Sequence, residues 1–259
     1  MTRACIVTGA ASGVGRAATA ILESRGARVI GVDLRDTEVI ADLSTPEGRI
    51  QMARDVEAAS GGSVDALIAA AGVLVAGPLT VQVNFFGVVE GAEALRPLLA
   101  RSDAPRVAVV SSVAGYSELG RADIVDACLA GDEPAAIGAA TRAVDEGEGD
   151  RIYASSKQAV SRWVRRTAPA GRWAGEGITL NAVAPGIVTT PMTQRLLANE
   201  SSRAWMDADV PMPLGGHATP EQIAEVLVWL AGPENSIVTG QVLYADGGAD
   251  ATVRGDDVW

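Results

Sequence analysis

The sequence contains few histidines and cysteines, the residues of histidine-based metal clusters and of disulfide frameworks. It has one histidine, His217, and two cysteines, Cys5 and Cys128, among 259 residues. One imidazole cannot form a histidine-based metal cluster, and two cysteines cannot supply the framework that stabilises a small secreted domain. We therefore predict no metal site, and we expect Cys5 to be a small buried hydrophobe in the first apolar segment.

Long apolar runs and an excess of positive charge are also lacking. No run approaches the ~20 apolar residues that span a bilayer, and the formal net charge is −11. Because acidic proteins are repelled by phosphates, we expect no nucleic-acid partner, and we expect no membrane partner. The first apolar segment follows Met1 so closely that no room remains for a signal peptide, which favours the cytoplasm.

What the sequence does contain is typical of a folded globular protein. Hydrophobic residues make up 48% and charged residues 20% of the chain. This balance excludes a disordered chain. The length suits one domain with a single core, so we expect residues 1–259 to form one domain.

Short apolar segments alternate with helical patterns along the chain. The predicted strands are Arg3–Val7, Arg28–Val32, Val39–Asp42, Asp65–Ala69, Arg106–Ser111, Ile178–Val183 and Gln241–Tyr244. The predicted helices are Arg16–Arg25, Pro46–Ala59, Thr80–Leu99, Arg151–Arg166 and Pro220–Leu230. Strands that alternate with helices predict an α/β fold with a doubly wound parallel sheet and helices on both faces. A ligand should bind at the carboxyl edge of this sheet.

Residues 115–150 interrupt the alternation after the fifth strand and are called the insertion below. They include many acidic residues, Asp123, Asp126, Asp132 and Glu133 among them. Alanine-rich stretches such as Pro134–Ala143 predict a helical insertion on the surface. Two interpretations stay open: a decoration without a role, or an element that shapes the substrate entrance or the subunit contacts.

A glycine-rich turn lies between the first strand and the first helix. Glycine permits a tight turn and a close approach of backbone amides to a pyrophosphate, which the positive end of the following helix also attracts. An ordinary loop is the alternative, but the strand–turn–helix context favours a Rossmann-type dinucleotide site. The expected contacts are Gly9, Ser12, Gly13, Val14 and Gly15.

Asp33 ends the second strand, where a carboxylate can accept hydrogen bonds from both ribose hydroxyls of an adenosine. It would repel the additional phosphate of NADP. Arg35 is close enough in sequence to favour that phosphate instead, whereas Leu34 occupies the adjacent position. The balance favours NAD.

Several further motifs occur in a fixed order. They are Asn84, Ser112, Tyr153-Ala-Ser-Ser-Lys157, Asn181-Ala-Val-Ala-Pro185-Gly186 and Asp246-Gly247-Gly248. With the glycine turn, they resemble the short-chain dehydrogenase/reductase superfamily over nearly the whole chain. The segment Gly31–Gly48 and the 41 residues that separate Tyr153 from Ser112 resemble the bacterial 3α-hydroxysteroid dehydrogenase/carbonyl reductase branch, which also carries a long insertion. One departure is Ala69-Ala-Ala-Gly72, where the family usually has Asn-Asn-Ala-Gly.

The resemblance implies a catalytic set of Asn84, Ser112, Tyr153 and Lys157. Tyr153 and Lys157 share one face of a predicted helix, and a nearby ammonium favours ionisation of a phenol that normally titrates near pH ~10. Tyr153 would act as general acid/base. Ser112 would hold the substrate oxygen, with Ser111 as its rival, and Asn84 would hold a water that connects to Lys157.

The resemblance also implies contacts to the cofactor beyond the glycine turn. The backbone of Val188 would pair with the nicotinamide amide, and Thr190 would bind the amide or the pyrophosphate. Residues 189–215 form a candidate substrate lid, whose Met192, Leu196, Leu197, Trp205 and Met206 are pocket wall or ordinary core. The full set of further expected contacts is Asp33, Leu34, Asp42, Leu43, Ala71, Gly72, Tyr153, Lys157, Pro185, Gly186, Val188 and Thr190.

These observations together predict an NAD-dependent oxidoreductase that interconverts a hydrophobic secondary alcohol and its ketone. A steroid 3α-hydroxyl or carbonyl is the favoured substrate, and a terpenoid or aromatic alcohol is the alternative. A non-catalytic NAD sensor and a sugar epimerase or dehydratase are less favoured. Because the insertion ends beside Arg151–Arg166, which with Thr80–Leu99 is the family's usual contact surface, we expect a homodimer rather than a tetramer.

Overall fold

A computed structural model describes residues 2–116 and 119–257 of the chain. Seven strands form one parallel sheet in the order β3-β2-β1-β4-β5-β6-β7. The strands are β1 (Ala4–Thr8), β2 (Arg28–Asp33), β3 (Val39–Ile40), β4 (Ala66–Ala69), β5 (Arg106–Val110), β6 (Thr179–Pro185) and β7 (Val242–Ala245). The predicted doubly wound parallel sheet is confirmed.

Helices connect the strands and cover both faces of the sheet. The first group comprises α1 (Gly13–Ser24), α2 (Pro46–Ser60), α3 (Leu79–Val81) and α4 (Val88–Leu99), with a π-helical segment over Gln82–Gly87 between the last two. The second group comprises α5 (Ala122–Ala130), α6 (Glu133–Asp145), α7 (Arg151–Thr167), α8 (Gln194–Ala198), α9 (Glu200–Asp209), α10 (Pro220–Ala231) and α11 (Ala249–Arg254). Short 3-10 turns occupy Val113–Tyr116 and Ala174–Glu176.

The core lies in two layers, one on each face of the sheet. On β4, Leu67 belongs to one apolar cluster and Ile68 to the other, as the alternation of side chains along a strand requires. The first cluster includes Met52 of α2 and Val160 of α7. The second includes Leu227 of α10. Cys5 is buried, as expected, and burial raises the pKa of its thiol to about 11.

The order of the strands reverses between β1 and β4. The chain builds outward from β1 to β3, returns to β4 beside β1, and then builds outward to β7. In open α/β sheets ligands bind at such a switch point, beyond the carboxyl ends of the strands. This topology therefore locates the candidate site.

Several predicted boundaries differ from the observed ones, and three of these differences bear on the cleft. The third strand ends at Ile40 rather than Asp42, because residues 41–44 turn towards α2. The first helix begins at Gly13, inside the glycine turn. The long helix predicted for Thr80–Leu99 begins at Leu79, and its π-helical segment includes Asn84.

The insertion is helical, as predicted, and it extends the core. Its first helix, α5, buries Ile124, Val125 and Cys128. The second, α6, packs through four buried alanines, Ala136, Ala139, Ala140 and Ala143. Over the described ranges, no helix is both long enough and apolar enough to cross a membrane.

Candidate active site

The glycine turn packs tightly against the end of β4. Gly9 has φ +72°, a left-handed conformation that favours glycine, and a Cβ on it would lie 2.8 Å from the backbone nitrogen of Ala71. A Cβ on Gly15 would lie 2.2 Å from the carbonyl oxygen of Gly9. Both glycines therefore let α1 start directly above the switch point, and no acidic side chain occupies the first turn of α1.

The Asp33 carboxylate is held beside this turn. Its Oδ2 accepts a 3.0 Å hydrogen bond from the backbone N–H of Ala11, and its Oδ1 accepts one of 2.7 Å from Leu34. Leu34 is 65% exposed. Arg35 is also exposed and forms an ion pair with the neighbouring Asp36. It is not among the described residues that line the cleft.

Asp42 and Leu43 form the next part of the cleft wall. The Asp42 carboxylate accepts hydrogen bonds from the backbone and the hydroxyl of Ser44. A Cβ on Gly48 would lie 1.9 Å from the carbonyl oxygen of Asp42, so this glycine lets α2 contact the loop. The loop is thus fixed by its own turn and by α2.

Tyr153 lies in the first turns of α7 and is half-buried. Its phenol shares a hydrogen bond with the hydroxyl of Ser112. Burial raises the pKa of the phenol, and the hydrogen bond from Ser112 lowers it by a smaller amount. The net shift of the Tyr153 pKa is therefore upward, whereas Lys157 was expected to lower it. The reason is that burial disfavours the charged phenolate more than the neighbouring groups stabilise it.

Lys157 lies one helical turn beyond Tyr153 and is 3% exposed. Its Nζ donates a 2.8 Å hydrogen bond to the carbonyl oxygen of Val110, at the end of β5, and lies 5.8 Å from the centre of the Tyr153 ring. Burial lowers the pKa of this amine to about 8. The amine can therefore exchange a proton close to neutral pH.

The two adjacent serines after β5 point in different directions. Ser111 is buried, and its hydroxyl bonds the carbonyl oxygen of Lys157 at 3.1 Å and the hydroxyl of Ser161 at 2.7 Å. Ser112 instead contacts Tyr153. The geometry therefore favours Ser112 over Ser111 as the hydroxyl available to a substrate.

Asn84 is fully buried behind the cleft rather than on a helix surface. Its side chain exchanges two hydrogen bonds with the backbone of Val73, at 2.8 and 2.9 Å, and donates a third to the hydroxyl of Ser156 at 3.3 Å. A Cβ on Gly72 would lie 3.3 Å from the Asn84 Oδ1 and 3.8 Å from the Lys157 Nζ. A side chain here would therefore crowd the Asn84 amide by a few tenths of an ångström and cover the floor of the cleft next to Lys157.

The turn after β6 forms the far side of the cleft and depends on a residue that the sequence analysis missed. The hydroxyl of Thr193 donates to the carbonyl oxygen of Val188 at 2.5 Å and accepts from the backbone N–H of Thr190 at 3.1 Å. The bridge between Val188 and Ala218 supports the same turn. A threonine three residues after Thr190 is a recognisable signal, because Ser/Thr hydroxyls commonly bond nearby backbone.

These elements enclose one cleft of about 260 Å³. Of the expected catalytic residues, Ser112, Tyr153 and Lys157 line it, whereas Asn84 lies behind it. Of the expected cofactor contacts, Gly15 alone is outside the lining, where it packs on Gly9. The other expected contacts that line it are Gly9, Ser12, Gly13, Val14, Asp33, Leu34, Asp42, Leu43, Ala71, Gly72, Pro185, Gly186, Val188 and Thr190. Lining residues that were not expected include Val32, Ala41, Ala70, Val73, Val83 and Thr193.

The helices of the candidate lid contribute nothing to the core, although Met212, which follows them, packs against one of the two apolar clusters. Neither α8 nor α9 has a buried residue. Met192 lines the cleft, and its Cε would lie 4.0 Å from a Cβ on Gly72. Leu196 and Trp205 are exposed. None of the five side chains is buried, with Leu197 and Met206 half-buried, so they are not ordinary core, and Met192 is the one among them that lines the cleft.

The cleft fits a dinucleotide in its shape and in its chemistry. The approach of the Gly9 and Gly15 backbones leaves room for a pyrophosphate at the start of α1. Two carboxylates, Asp33 and Asp42, lie beyond that turn, and a phenol, an amine and a hydroxyl lie at the opposite end. Within residues 2–116 and 119–257, no three histidine, cysteine or acidic side chains are grouped as metal ligands would be.

Comparison with known proteins supports this assignment of the cleft. The family model described as enoyl-(acyl carrier protein) reductase matches residues 9–250. The chain is 38% identical over 256 residues to a 3-alpha-hydroxysteroid dehydrogenase/carbonyl reductase of Comamonas testosteroni, which covers 96% of this chain and 97% of that one. It is 32% identical over 277 residues to a cis-4-hydroxycyclohexanecarboxylate dehydrogenase of Sinomonas cyclohexanicum, covering 96% and 97%.

A solved structure gives the same result. The crystal structure of the 3-alpha-hydroxysteroid dehydrogenase from Pseudomonas sp. B-0831, complexed with NADH, has a TM-score of 0.90 and 38% identity, and the match covers 98% of this chain and 100% of that one. Since almost no residue of either chain is left unmatched, the match includes the sheet, the insertion and residues 189–215. This chain belongs to the short-chain dehydrogenase/reductase family of oxidoreductases.

Proposed function

We propose that this protein interconverts a hydrophobic secondary alcohol and its ketone with NAD, and that 3α-hydroxysteroids are its preferred substrates. The observation that carries the proposal is the group formed by Ser112, Tyr153 and Lys157 at one end of a cleft whose other end is a glycine turn and a carboxylate. A sugar epimerase or dehydratase is disfavoured, because the described residues after β6 form only α8 to α11 and β7 rather than a larger substrate domain.

NAD rather than NADP is supported by Asp33. Its carboxylate lies beside the glycine turn, where an adenosine ribose would place its hydroxyls. A phosphate there would meet like charge, and the exposed Arg35 is paired with Asp36. The similar Pseudomonas enzyme was solved with NADH, which agrees with this preference.

In ketone reduction, Tyr153 gives its phenolic proton to the carbonyl oxygen while that carbon gains a hydride. When bound, the nicotinamide supplies or accepts this hydride. The Ser112 hydroxyl donates a hydrogen bond to the same oxygen and stabilises the charge that develops on it. In alcohol oxidation the Tyr153 phenolate takes the hydroxyl proton, so the two directions use opposite protonation states of one residue.

Lys157 has two roles in this proposal. Its ammonium, oriented by the Val110 carbonyl oxygen, binds the nicotinamide ribose and returns a proton to Tyr153. A pKa of about 8 suits such exchange, because both forms of the amine are populated near neutral pH. Asn84 supports this relay from behind, through the water that the family resemblance implies.

The substrate preference is supported by apolar side chains in and next to the cleft lining. Val73, Val83 and Met192 line the cleft, and the exposed Leu74 and Val75 directly follow Val73 in the chain. A Cβ on Gly149 would lie 3.0 Å from the Ala76 Cβ and 3.5 Å from the Val144 Cγ2, so the insertion meets the loop after β4. We propose residues 189–215 as a lid over an apolar substrate. A steroid is the substrate proposed because the Comamonas relative is named as a 3-alpha-hydroxysteroid dehydrogenase.

The same reasoning extends to assembly and location. We propose a homodimer, because the insertion covers one side of α7, which would otherwise pair with a second copy. A tetramer would contradict this. We also propose the cytoplasm as the location, where NAD is available.

The test compares Tyr153→Phe with Tyr244→Phe, an identical change outside the cleft. We expect Tyr153→Phe to lower turnover of 3α-hydroxysteroids by about 10²–10⁴ and to leave NADH binding intact, while Tyr244→Phe keeps full activity. Unchanged turnover in Tyr153→Phe would refute the mechanism. If the wild type turns over terpenoid or aromatic alcohols in preference to steroids, the proposed substrate class is wrong and those alcohols take its place. If it binds NADH but turns over no alcohol or ketone, it is a non-catalytic NAD sensor.

A further inference from the structure

Arg49 is a cation buried at the junction of four elements. It lies in the first turn of α2 and is 1% exposed. A buried guanidinium is costly unless carboxylates and hydrogen-bond acceptors surround it. The partners of Arg49 therefore show what its position depends on.

Two carboxylates from distant parts of the chain meet at Arg49. Glu133, the first residue of α6, forms a bidentate pair with it, with distances of 2.5 Å from Nη2 to Oε2 and 3.3 Å from Nη1 to Oε1. Glu90 of α4 lies 2.8 Å from Nε. The Glu133 side chain is 13% exposed and that of Glu90 is 44% exposed, so the insertion supplies the better shielded partner.

The third partner of Arg49 belongs to the proposed cofactor site. Nη1 donates a 3.1 Å hydrogen bond to the carbonyl oxygen of Leu43, which lines the cleft beside Asp42. A Cβ on Gly87 would lie 3.1 Å from this same oxygen, so the loop also packs on the π-helical segment. Gln82 of that segment donates to the carbonyl oxygen of Ser44.

We infer that Arg49 is a positioning residue that couples the insertion to the cofactor cleft, and that docking of α6 through Glu133 sets the affinity for the adenosine half of the dinucleotide. Without Glu133, the guanidinium keeps only the half-exposed Glu90 as a counter-charge. It then turns towards solvent and releases the Leu43 carbonyl oxygen. The inference gives the insertion a role in cofactor binding, and it rests on the proposed use of NAD.

The first test replaces Glu133 with Gln, which keeps the shape and removes the charge. The matched control is Glu146→Gln, since Glu146 also belongs to the insertion and pairs with an arginine, Arg121, away from the cleft. We expect Glu133→Gln to raise the Kd for NADH, measured by fluorescence titration, by roughly 2- to 30-fold. The Kd for ADP-ribose should rise by the same factor, and Glu146→Gln should change neither.

Steady-state kinetics separate positioning from damage to the catalytic residues. In Glu133→Gln the KM for NAD should rise while kcat stays within about twofold, because Ser112, Tyr153 and Lys157 keep their contacts. A fall in kcat with an unchanged KM would contradict the inference.

A second variant separates positioning from stability. Arg49→Met/Glu133→Met removes both buried charges, and such replacement commonly restores or improves stability. It supplies no donor to the Leu43 carbonyl oxygen, so we expect a folded protein, verified by circular dichroism and urea unfolding, whose Kd for NADH stays high. A double variant that binds NADH as tightly as wild type would overturn the inference.

Failure of the inference can be told from failure of the proposed function. If wild type binds NADH and Glu133→Gln binds it equally well, the coupling is absent although the cofactor assignment stands. If wild type binds no NADH, both are wrong. Should Glu133→Gln fail to fold, Glu90→Gln tests the same prediction at the more exposed partner, with a smaller rise in Kd expected.

Discussion

The Nζ of Lys157 lies 2.8 Å from the carbonyl oxygen of Val110 and donates a hydrogen bond to it, which ties α7 to the end of β5. The ammonium is nearly fully buried, and no carboxylate contributes to its pKa, which burial alone lowers from 10.5 to about 8. A positioned but unneutralised charge is costly to the fold. We therefore expect the Lys157 ammonium to lower the free energy of unfolding although the reaction requires it.

Lys157→Met should make the protein more stable at pH 7 and nearly inactive. Below pH 8 the folded protein retains the buried positive charge of Lys157. Between pH 8 and 10.5 the unfolded chain binds a proton that the folded chain has lost. The free energy of unfolding of the wild type therefore rises with pH between these two values. The shift is equivalent to roughly 3 kcal/mol. Urea unfolding at pH 7 and 9.5 should show the advantage of Lys157→Met shrinking; a constant difference between the two proteins would refute it.

The two reaction directions should differ in their dependence on pH. Oxidation needs the Tyr153 phenolate, and burial raises the pKa of that phenol, so alcohol oxidation should increase with pH until the phenol has ionised. Reduction needs the neutral phenol and should stay level over the same range, falling only above that pKa. Rates measured at saturating substrate between pH 6 and 10 test this. Oxidation that is flat over the whole range would show that Tyr153 is not the base.

Asp33→Asn should weaken the preference for NAD over NADP. The amide can still accept a hydrogen bond from the backbone N–H of Ala11, but it no longer repels a phosphate. We expect the ratio of kcat/KM for NAD to that for NADP to fall by at least about tenfold, which corresponds to 1.4 kcal/mol. Asp103→Asn is the control, since Asp103 is exposed and outside the cleft lining and should leave the ratio unchanged. An unaltered ratio in Asp33→Asn would remove the basis for choosing NAD.

Much of the fold could be predicted because its signals are local. The seven strands are short apolar segments between helical patterns, and the glycine turn, Asp33 and the Tyr153–Lys157 spacing each lie within a few residues. The roles of Ser112 and Tyr153 could be predicted only with the family resemblance, because these two residues are in contact although they lie 41 positions apart in the sequence.

The features that could not be predicted depend on contacts between remote segments. Asn84 lies in a π-helical segment because packing, not propensity, sets the helix there, and its partner Ser156 is on α7. The direction of the Tyr153 pKa shift follows from burial, which no spacing reveals. The sequence gives no sign that Arg49 is buried, because its partner Glu133 lies in a distant segment of the chain.

Gly15→Ala should destabilise the protein, whereas Gly138→Ala should stabilise it. The new methyl at position 15 would lie 2.2 Å from the Gly9 carbonyl oxygen, a backbone atom that cannot move without displacing α1. Such overpacking costs about 1–3 kcal/mol. Gly138 lies inside α6 and would meet only the end of the Arg142 side chain, so the lost glycine entropy should add about 0.5–1 kcal/mol.

Urea unfolding of both glycine variants measures the difference directly, and NADH titration adds a functional readout. Because Gly15 positions the start of α1 above the pyrophosphate site, Gly15→Ala should also weaken NADH binding, while Gly138→Ala should not. If Gly15→Ala proved as stable as wild type, the close packing of α1 on the glycine turn would be wrong, and with it the placement of the helix amides at the phosphates.

Thr193→Val should impair cofactor binding without unfolding the protein. The substitution keeps the shape and removes the hydroxyl that donates to Val188 and accepts from Thr190. A lost hydrogen bond with an unpaired partner costs about 1–3 kcal/mol, so the KM for NAD should rise roughly tenfold. Thr189→Val is the matched control: Thr189 is exposed, outside the cleft lining, and its variant should behave as wild type. Equal KM values for the two variants would mean that the turn holds the nicotinamide side of the cleft without Thr193.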